Sequence, residues 1–225
     1  MYKEKRYVYG GKMNLQTKRE KIKNYILNNI KKNKKEYISL CIVLFIGVVL
    51  GVLFINNVKE DEKVQIQEYI NGFIDTIKNE NEIDKISLLK DSIIRNVSIG
   101  ITLWFIGSTV IGIPLVYAYV AYKGFCVSYT ISSSIAVLGQ VKGLSFSLAS
   151  ILMQNLIIIP IILAISVSGI NLYKSIMKDR RKENIKLEII KHTVISIMNI
   201  LCLIVAAVIE TYVSTNILEI VIKYI

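Results

Sequence analysis

Histidine is nearly missing from this chain of 225 residues. There is one, His192, beside three cysteines and two prolines. A single histidine and the lack of any C-x-x-C pair leave no Cys/His metal spacing. The cysteines are Cys41, Cys126 and Cys202, too few for a disulfide scaffold. All three stand inside apolar blocks and read as small buried apolar residues. Acidic residues are also short, 17 against 28 Lys and Arg, for a net charge of +11. No Asp or Glu falls at the centre of a long apolar block. There is no H-E-x-x-H, no pair of aspartates and no Gly-x-Ser matched with an intramembrane histidine. Intramembrane proteases and zinc enzymes need such groups. A proton- or ion-coupled transporter normally shows a buried carboxylate. The chain therefore reads as non-enzymatic, with no cofactor and no metal site.

Apolar residues are abundant, at 53% with a mean hydropathy of +0.49. They come in blocks, which excludes a disordered chain and an ordinary soluble enzyme. The positive charge does not point to nucleic acid, because it is sorted by segment between the blocks. A membrane crossing needs about 20 apolar residues. Five blocks qualify: 38–55, 98–121, 124–139, 144–170 and 194–213. The third is short and hydroxyl-rich.

Charge orients them. Residues 1–37 carry 12 basic and 3 acidic side chains, residues 56–97 carry 6 and 9, and residues 171–193 carry 7 and 3. Excess Lys and Arg marks the cytoplasmic side. The expected fold is all-α and polytopic, with five transmembrane helices. The N-terminus is cytoplasmic, the C-terminus is extracytoplasmic, and amphipathic helices lie at the interfaces. Residues 1–37 form a basic tail, and residues 38–225 form one transmembrane domain. Lys123 is expected on the inside after the second crossing, and Lys142 in an external turn. The first crossing has no small-x-small cleavage site after it and is expected to stay as an anchor. Gly10-Gly11-Lys12-Met13 resembles a translated ribosome-binding sequence, which makes Met13 the expected start.

The polar segments carry the candidate contacts. Residues 14–36 read as a basic amphipathic helix. Ile22, Tyr25, Ile26 and Ile30 fall on one face, and Lys31, Lys32, Lys34 and Lys35 face anionic lipid or a cytoplasmic partner. The external loop 56–97 has one stripe at Ile66, Tyr69, Ile70, Phe73, Ile74 and Ile77. A second stripe runs through Ile83, Ile86, Leu88, Leu89 and Ile93, and Asn71-Gly72 is a possible kink. Its polar face is acidic, and Glu60, Asp61, Glu62, Glu68 and Asp75 with Tyr69 and Phe73 are the candidate partner-binding residues. Anionic headgroups repel such a face, so it suits protein contact or packing on its own spans. Residues 171–193 read as a cytoplasmic elbow helix with Lys178, Arg180, Arg181 and Lys182 toward phosphates and His192 on the surface.

Within the blocks the residues speak of helix packing. Gly47 and Gly51 make a G-x-x-x-G that permits close approach. Gly112 and Pro114 predict a kink in the second crossing. Gln154 and Asn155 lie shortly before Pro160 in the fourth. Their amides require partners in lipid, either Ser/Thr of the third crossing or carbonyls freed by proline. This seam is internal glue or, alternatively, part of a polar path in a transporter or permease component.

Several stretches, in order, resemble the stage II sporulation protein M family of endospore-forming bacteria. They are Trp104-Phe105-Ile106-Gly107-Ser108-Thr109 with Ile111-Gly112-Ile113-Pro114, then Tyr122-Lys123-Gly124-Phe125-Cys126-Val127-Ser128-Tyr129-Thr130. The run Val167-Ser168-Gly169-Ile170-Asn171-Leu172-Tyr173-Lys174-Ser175-Ile176 follows, and then the basic Lys178–Asn184 stretch. The likeness covers roughly residues 38–216. It implies a multi-span scaffold at the septal or engulfing membrane of a sporulating bacterium. Such a scaffold holds two cell-wall hydrolases, a lytic transglycosylase and an amidase/endopeptidase, during engulfment of the forespore. Membrane lipid and a possible second copy of the chain are the other expected partners, with no nucleic acid. The resemblance brings no catalytic residue.

Overall fold

The computed structural model describes residues 20, 23–24, 27–79, 84–109, 111–178 and 182–224. Among the described residues there is no strand, and the fold is all-α as expected. The helices are α1 Lys34–Asn56, α2 Glu60–Asn79, α3 Lys85–Gly107, α4 Gly112–Leu138, α5 Gln140–Ser147, α6 Met153–Lys178, α7 Lys182–Ile209 and α8 Thr215–Lys223. π-helical turns at Leu148–Leu152 and Glu210–Ser214 join α5 to α6 and α7 to α8. Three stretches are long and apolar enough to cross a membrane: Lys34–Asn56, Gln154–Met177 and Ile185–Lys223.

The chain divides into two units, Met1–Ser39 and Leu40–Ile225. In the first, residues 27–32 are helical and Lys31, Lys32, Lys34 and Lys35 are exposed. Met13, Ile22, Tyr25 and Ile26 lie outside the described residues.

In the second unit α6 packs along α7, and α3 lies against both. Leu103, Ile158, Ile162, Ile165, Leu172 and Leu203 fill this three-helix core at no more than 2% exposure. α4 packs against α3, α5 and α6. α1 meets α4 through small residues. A methyl group on Gly47 would overlap the Ala121 carbonyl oxygen, and one on Gly51 would stand 2.6 Å from the Phe125 carbonyl oxygen. One on Gly124 would overlap the Leu44 carbonyl oxygen. Above this seam Phe54 meets Phe125 edge-on at 5.7 Å. The outward faces of α1 stay apolar, with Ile42, Phe45 and Leu53 exposed, as a lipid-facing helix requires.

Several boundaries differ from expectation. The apolar block 98–121 is not one helix. α3 ends at Gly107 and α4 starts at Gly112. Ser108 and Thr109 turn their hydroxyls back onto the carbonyls of Trp104 and Ile106, both at 2.8 Å. Pro114 does not kink a helix; it sits in the first turn of α4, where a missing N–H costs nothing. The short third block is therefore the second half of a helix of 27 residues. Lys123 falls near the middle of that helix and not at a crossing's end. The elbow 171–193 is also absent. α6 runs on to Lys178 and α7 begins at Lys182, so the residues meant for an interfacial helix extend two long ones. Arg180 and Arg181 lie outside the described residues, as do the side chains of Lys178 and Lys182. Cys41 and Cys202 are exposed on helix surfaces, against the expectation of burial.

α4 and α5 are joined at Gly139, whose φ of +82° is open to glycine at little cost. Pro160 lies inside α6, where it deprives the Leu156 carbonyl of its donor.

Candidate partner-docking face

α2 begins with Glu60, Asp61 and Glu62, which suit the positive end of the helix. It then runs through Asn71-Gly72 without a break. Its stripe is spoken for. Ile70 and Ile74 are buried with Phe146, Ala149, Leu218 and Ile222, and Ile66 and Ile77 pack beside them. α2 thus rests on α5, on the turn that follows it and on α8. Phe73 meets Phe146 edge-on at 6.1 Å and keeps 41% of its surface exposed.

The opposite face is what remains for a partner. Glu60, Asp61, Glu62, Glu68 and Asp75 are all exposed, and Tyr69 is 78% exposed. Glu60 pairs with Lys63 at 2.7 Å, an exposed pair of little energetic weight. The second expected stripe is not a separate helix. Asp84 caps α3 by accepting from the Ile86 and Ser87 amides at 3.0 and 3.3 Å. Leu88, Leu89 and Ile93 then belong to a helix continuing to Gly107, and Ile86 points outward at 79% exposure. Ile83 lies outside the described residues.

The packing residues scatter over different contacts. Gly47 and Gly51 face α4, and Gly112 closes the 106–112 turn, where a methyl group would overlap the Ile106 carbonyl oxygen. Asn155 is buried and donates to its own helix's Ile151 carbonyl at 2.9 Å. That carbonyl belongs to the π turn, so the bond goes neither to the third crossing nor to a proline-freed carbonyl. Its Oδ1 has no partner among the described residues. Gln154 is half-buried one residue before it.

Two constellations escaped the sequence. The first joins α3, α6 and α7. His192, expected on the surface, is 1% exposed. Its Nε2 stands 3.3 Å from the Trp104 carbonyl oxygen, which can only accept, so Nε2 carries the proton. Nδ1 is then left to accept from the Ser168 hydroxyl at 3.0 Å. Trp104 Nε1 donates to Thr193 Oγ1 at 3.2 Å. Beneath the imidazole, α3 and α6 touch at glycines: a methyl group on Gly169 would stand 2.8 Å from the Gly107 Cα. His192→Leu is expected to cost about 2 kcal/mol by leaving the buried Ser168 hydroxyl without the imidazole and the Trp104 carbonyl to Ser108 alone. The thermal midpoint of the detergent-solubilised protein checks this; an unchanged midpoint would show that the imidazole bonds contribute nothing.

The second constellation is charged. Arg95 of α3 pairs with Glu210, whose side chain is only 14% exposed. Lys123 of α4 lies within electrostatic reach of both. Asn96, fully buried, donates to the Leu203 carbonyl at 3.2 Å in the same layer of α3 and α7. The missed signal was Pro114. Proline favours the first turn of a helix, and a helix starting at Gly112 puts Lys123 near its middle.

Among the described residues no three His, Cys, Asp or Glu side chains are grouped to hold a metal ion. No curated protein matches the chain, and no solved structure matches it. A family model described as Stage II sporulation protein M matches residues 40–215. That range takes in the Trp104–Gly107 segment, Ser168, Gly169 and His192, which meet in space although they stand far apart in sequence. With three helices apolar enough to cross a membrane and this match over most of its length, the chain belongs to the Stage II sporulation protein M family and is a sporulation-related membrane protein.

Proposed function

We propose that this protein is a non-catalytic, multi-pass scaffold that holds cell-wall hydrolases against the septal or engulfing membrane during forespore engulfment. The hydrolases are a lytic transglycosylase and an amidase/endopeptidase. One observation carries the reading. The apolar stripe of α2 is used up by α5 and α8, while its acidic face and Tyr69 stay exposed. A helix anchored on one side and charged on the other is a surface for another protein. The scaffold works by co-localisation: tethering two enzymes beside their substrate raises their effective concentration without new chemistry.

The topology that goes with this has five crossings, N-terminus inside and C-terminus outside. Its rods are α1, α3, α4, α5 continued by α6, and α7 continued by α8. At about 1.5 Å per residue each is long enough for about 30 Å of hydrocarbon. Alternation then puts α2 and α8 together on the outer side, in keeping with their contact.

Reversal of Glu60, Asp61, Glu62 and Glu68 to lysine is expected to cut co-purification of both hydrolases at least fivefold. Membrane insertion should stay normal, since all four side chains are exposed. Undiminished co-purification would remove α2 as the docking face.

A further inference from the structure

The last rod of the bundle is not a regular helix. α7 passes into the π turn Glu210–Ser214 before α8 resumes. Such turns shift the side chains that follow relative to those before, and they collect at functional and hinge positions. This one opens on a carboxylate whose side chain is only 14% exposed. Glu210 Oε1 is paired with Arg95, while Oε2 is buried with no hydrogen-bond partner among the described residues. Thr211 Oγ1 and Ser214 Oγ, in the same turn, are buried without a partner as well. Lys123 of α4 adds a further positive charge in the neighbourhood. One carboxylate therefore holds a cation from another helix with one oxygen, while its second oxygen stays unpaired.

The two charges of the pair are not equivalent. The Arg95 side chain is 57% exposed and can turn to solvent, whereas Glu210 is held at 14%. Taking away Arg95 therefore leaves a nearly buried carboxylate uncompensated at the head of the turn. A cation ligand does not suit the spare oxygens, because Arg95 and the neighbouring Lys123 already outnumber the single carboxylate.

What lies beyond the turn gives the cluster a purpose. α8 carries Leu218 and Ile222, the residues on which Ile70 and Ile74 of α2 rest. The direction of α8 thus sets the seat of α2, and the π turn sets the direction of α8. On the outer side Lys85 at the start of α3 also reaches Asn216 of α8, at 2.9 Å. That exposed bond is too weak to fix a helix alone.

We propose that Arg95 and Glu210 form an ionic latch across the π turn, which fixes α8 and through it the outward face of α2. With Glu210 holding Arg95 the turn is locked; with the pair parted, α8 is free to swing on it. The latch itself is a matter of geometry, and only its effect on hydrolases rests on the scaffold reading.

The test uses the full chain in native membranes, with Cys41, Cys126 and Cys202 replaced by alanine. Ile74→Cys with Leu218→Cys reports the α2–α8 contact by oxidative crosslinking. Phe54→Cys with Phe125→Cys reports the α1–α4 seam. Glu210→Gln is expected to lower the first crosslink at least threefold and leave the second unchanged. The double reversal Arg95→Glu with Glu210→Arg is expected to restore the first. A Glu210→Gln chain that crosslinks like the parent overturns the latch, and so does a double reversal that fails to restore it. If Glu210→Gln loses both crosslinks, the bundle has come apart. The double reversal then decides, with recovery upholding the latch and continued loss overturning it. A lost α2–α8 crosslink with undiminished hydrolase capture leaves the latch standing and rejects α2 as the docking face.

Discussion

Gly169→Leu is expected to reduce the folded protein in membranes at least tenfold. The contact it disturbs is backbone against backbone. Even a single methyl group at Gly169 would stand 2.8 Å from the Gly107 Cα and 3.4 Å from its carbonyl oxygen. Neither atom can rotate away, as the end of a side chain would. The only relief is to move α3 from α6, and His192 is wedged into the same crossing. A methyl group on Gly107 would already stand 3.2 Å from the imidazole Cε1 and Nε2. Separating the helices therefore also pulls Nε2 from the Trp104 carbonyl and Nδ1 from Ser168. Overpacking with four extra carbons costs about 3 kcal/mol or more, roughly a hundredfold in the folding equilibrium. Immunoblots of the membrane fraction and size-exclusion profiles in detergent measure it. Gly72→Leu is the control, because nothing stands within 4 Å of a methyl group there. Parent-like abundance and a single sharp peak for Gly169→Leu would mean that the crossing is not tight.

Gly124→Leu is expected to be as severe in energy but different in kind. Gly124 fits beneath the Leu44 carbonyl, while Gly47 and Gly51 fit against Ala121 and Phe125. Close approach through small residues is how helices attract each other where the solvent is lipid, since apolar surface alone gains nothing there. A leucine at 124 fills that approach, and α1 is expected to come off α4 while the α3–α6–α7 core holds. The Phe54→Cys/Phe125→Cys crosslink should disappear, and the core's thermal transition should survive. Retention of that crosslink would show that α1 is held elsewhere.

The sequence reading did well wherever one residue type has one physical use. G-x-x-x-G named the face of α1 that meets α4, because only small residues let backbones touch. The stripe Ile66, Ile70, Ile74 and Ile77 was visible from its period. Its cover was not, since Leu218 and Ile222 come at the far end of the chain and periodicity carries no long-range pairing. Hydropathy blocks failed at 98–121 for a plain reason. Ser108 and Thr109 are only weakly polar, so the break between α3 and α4 does not interrupt the apolar run. Placing the turn near Lys123 then sent a half-buried, mid-helix cation to the membrane surface and hid its nearness to Arg95 and Glu210. His192 was misjudged, because it packs on Gly107 where α3 crosses α6 at Gly169, and glycines have no side chain to advertise a contact.

The meeting of α2 with α8 has a consequence for the order of synthesis. α2 leaves the ribosome long before α8, so Ile70 and Ile74 are covered in stages. Phe146 and Ala149 can take up part of the stripe once they are made, and Leu218 and Ile222 complete the seat. A product interrupted before α8 would therefore present a partly uncovered apolar stripe in place of a finished surface. The late-made α8 thereby closes the seat of an element made much earlier.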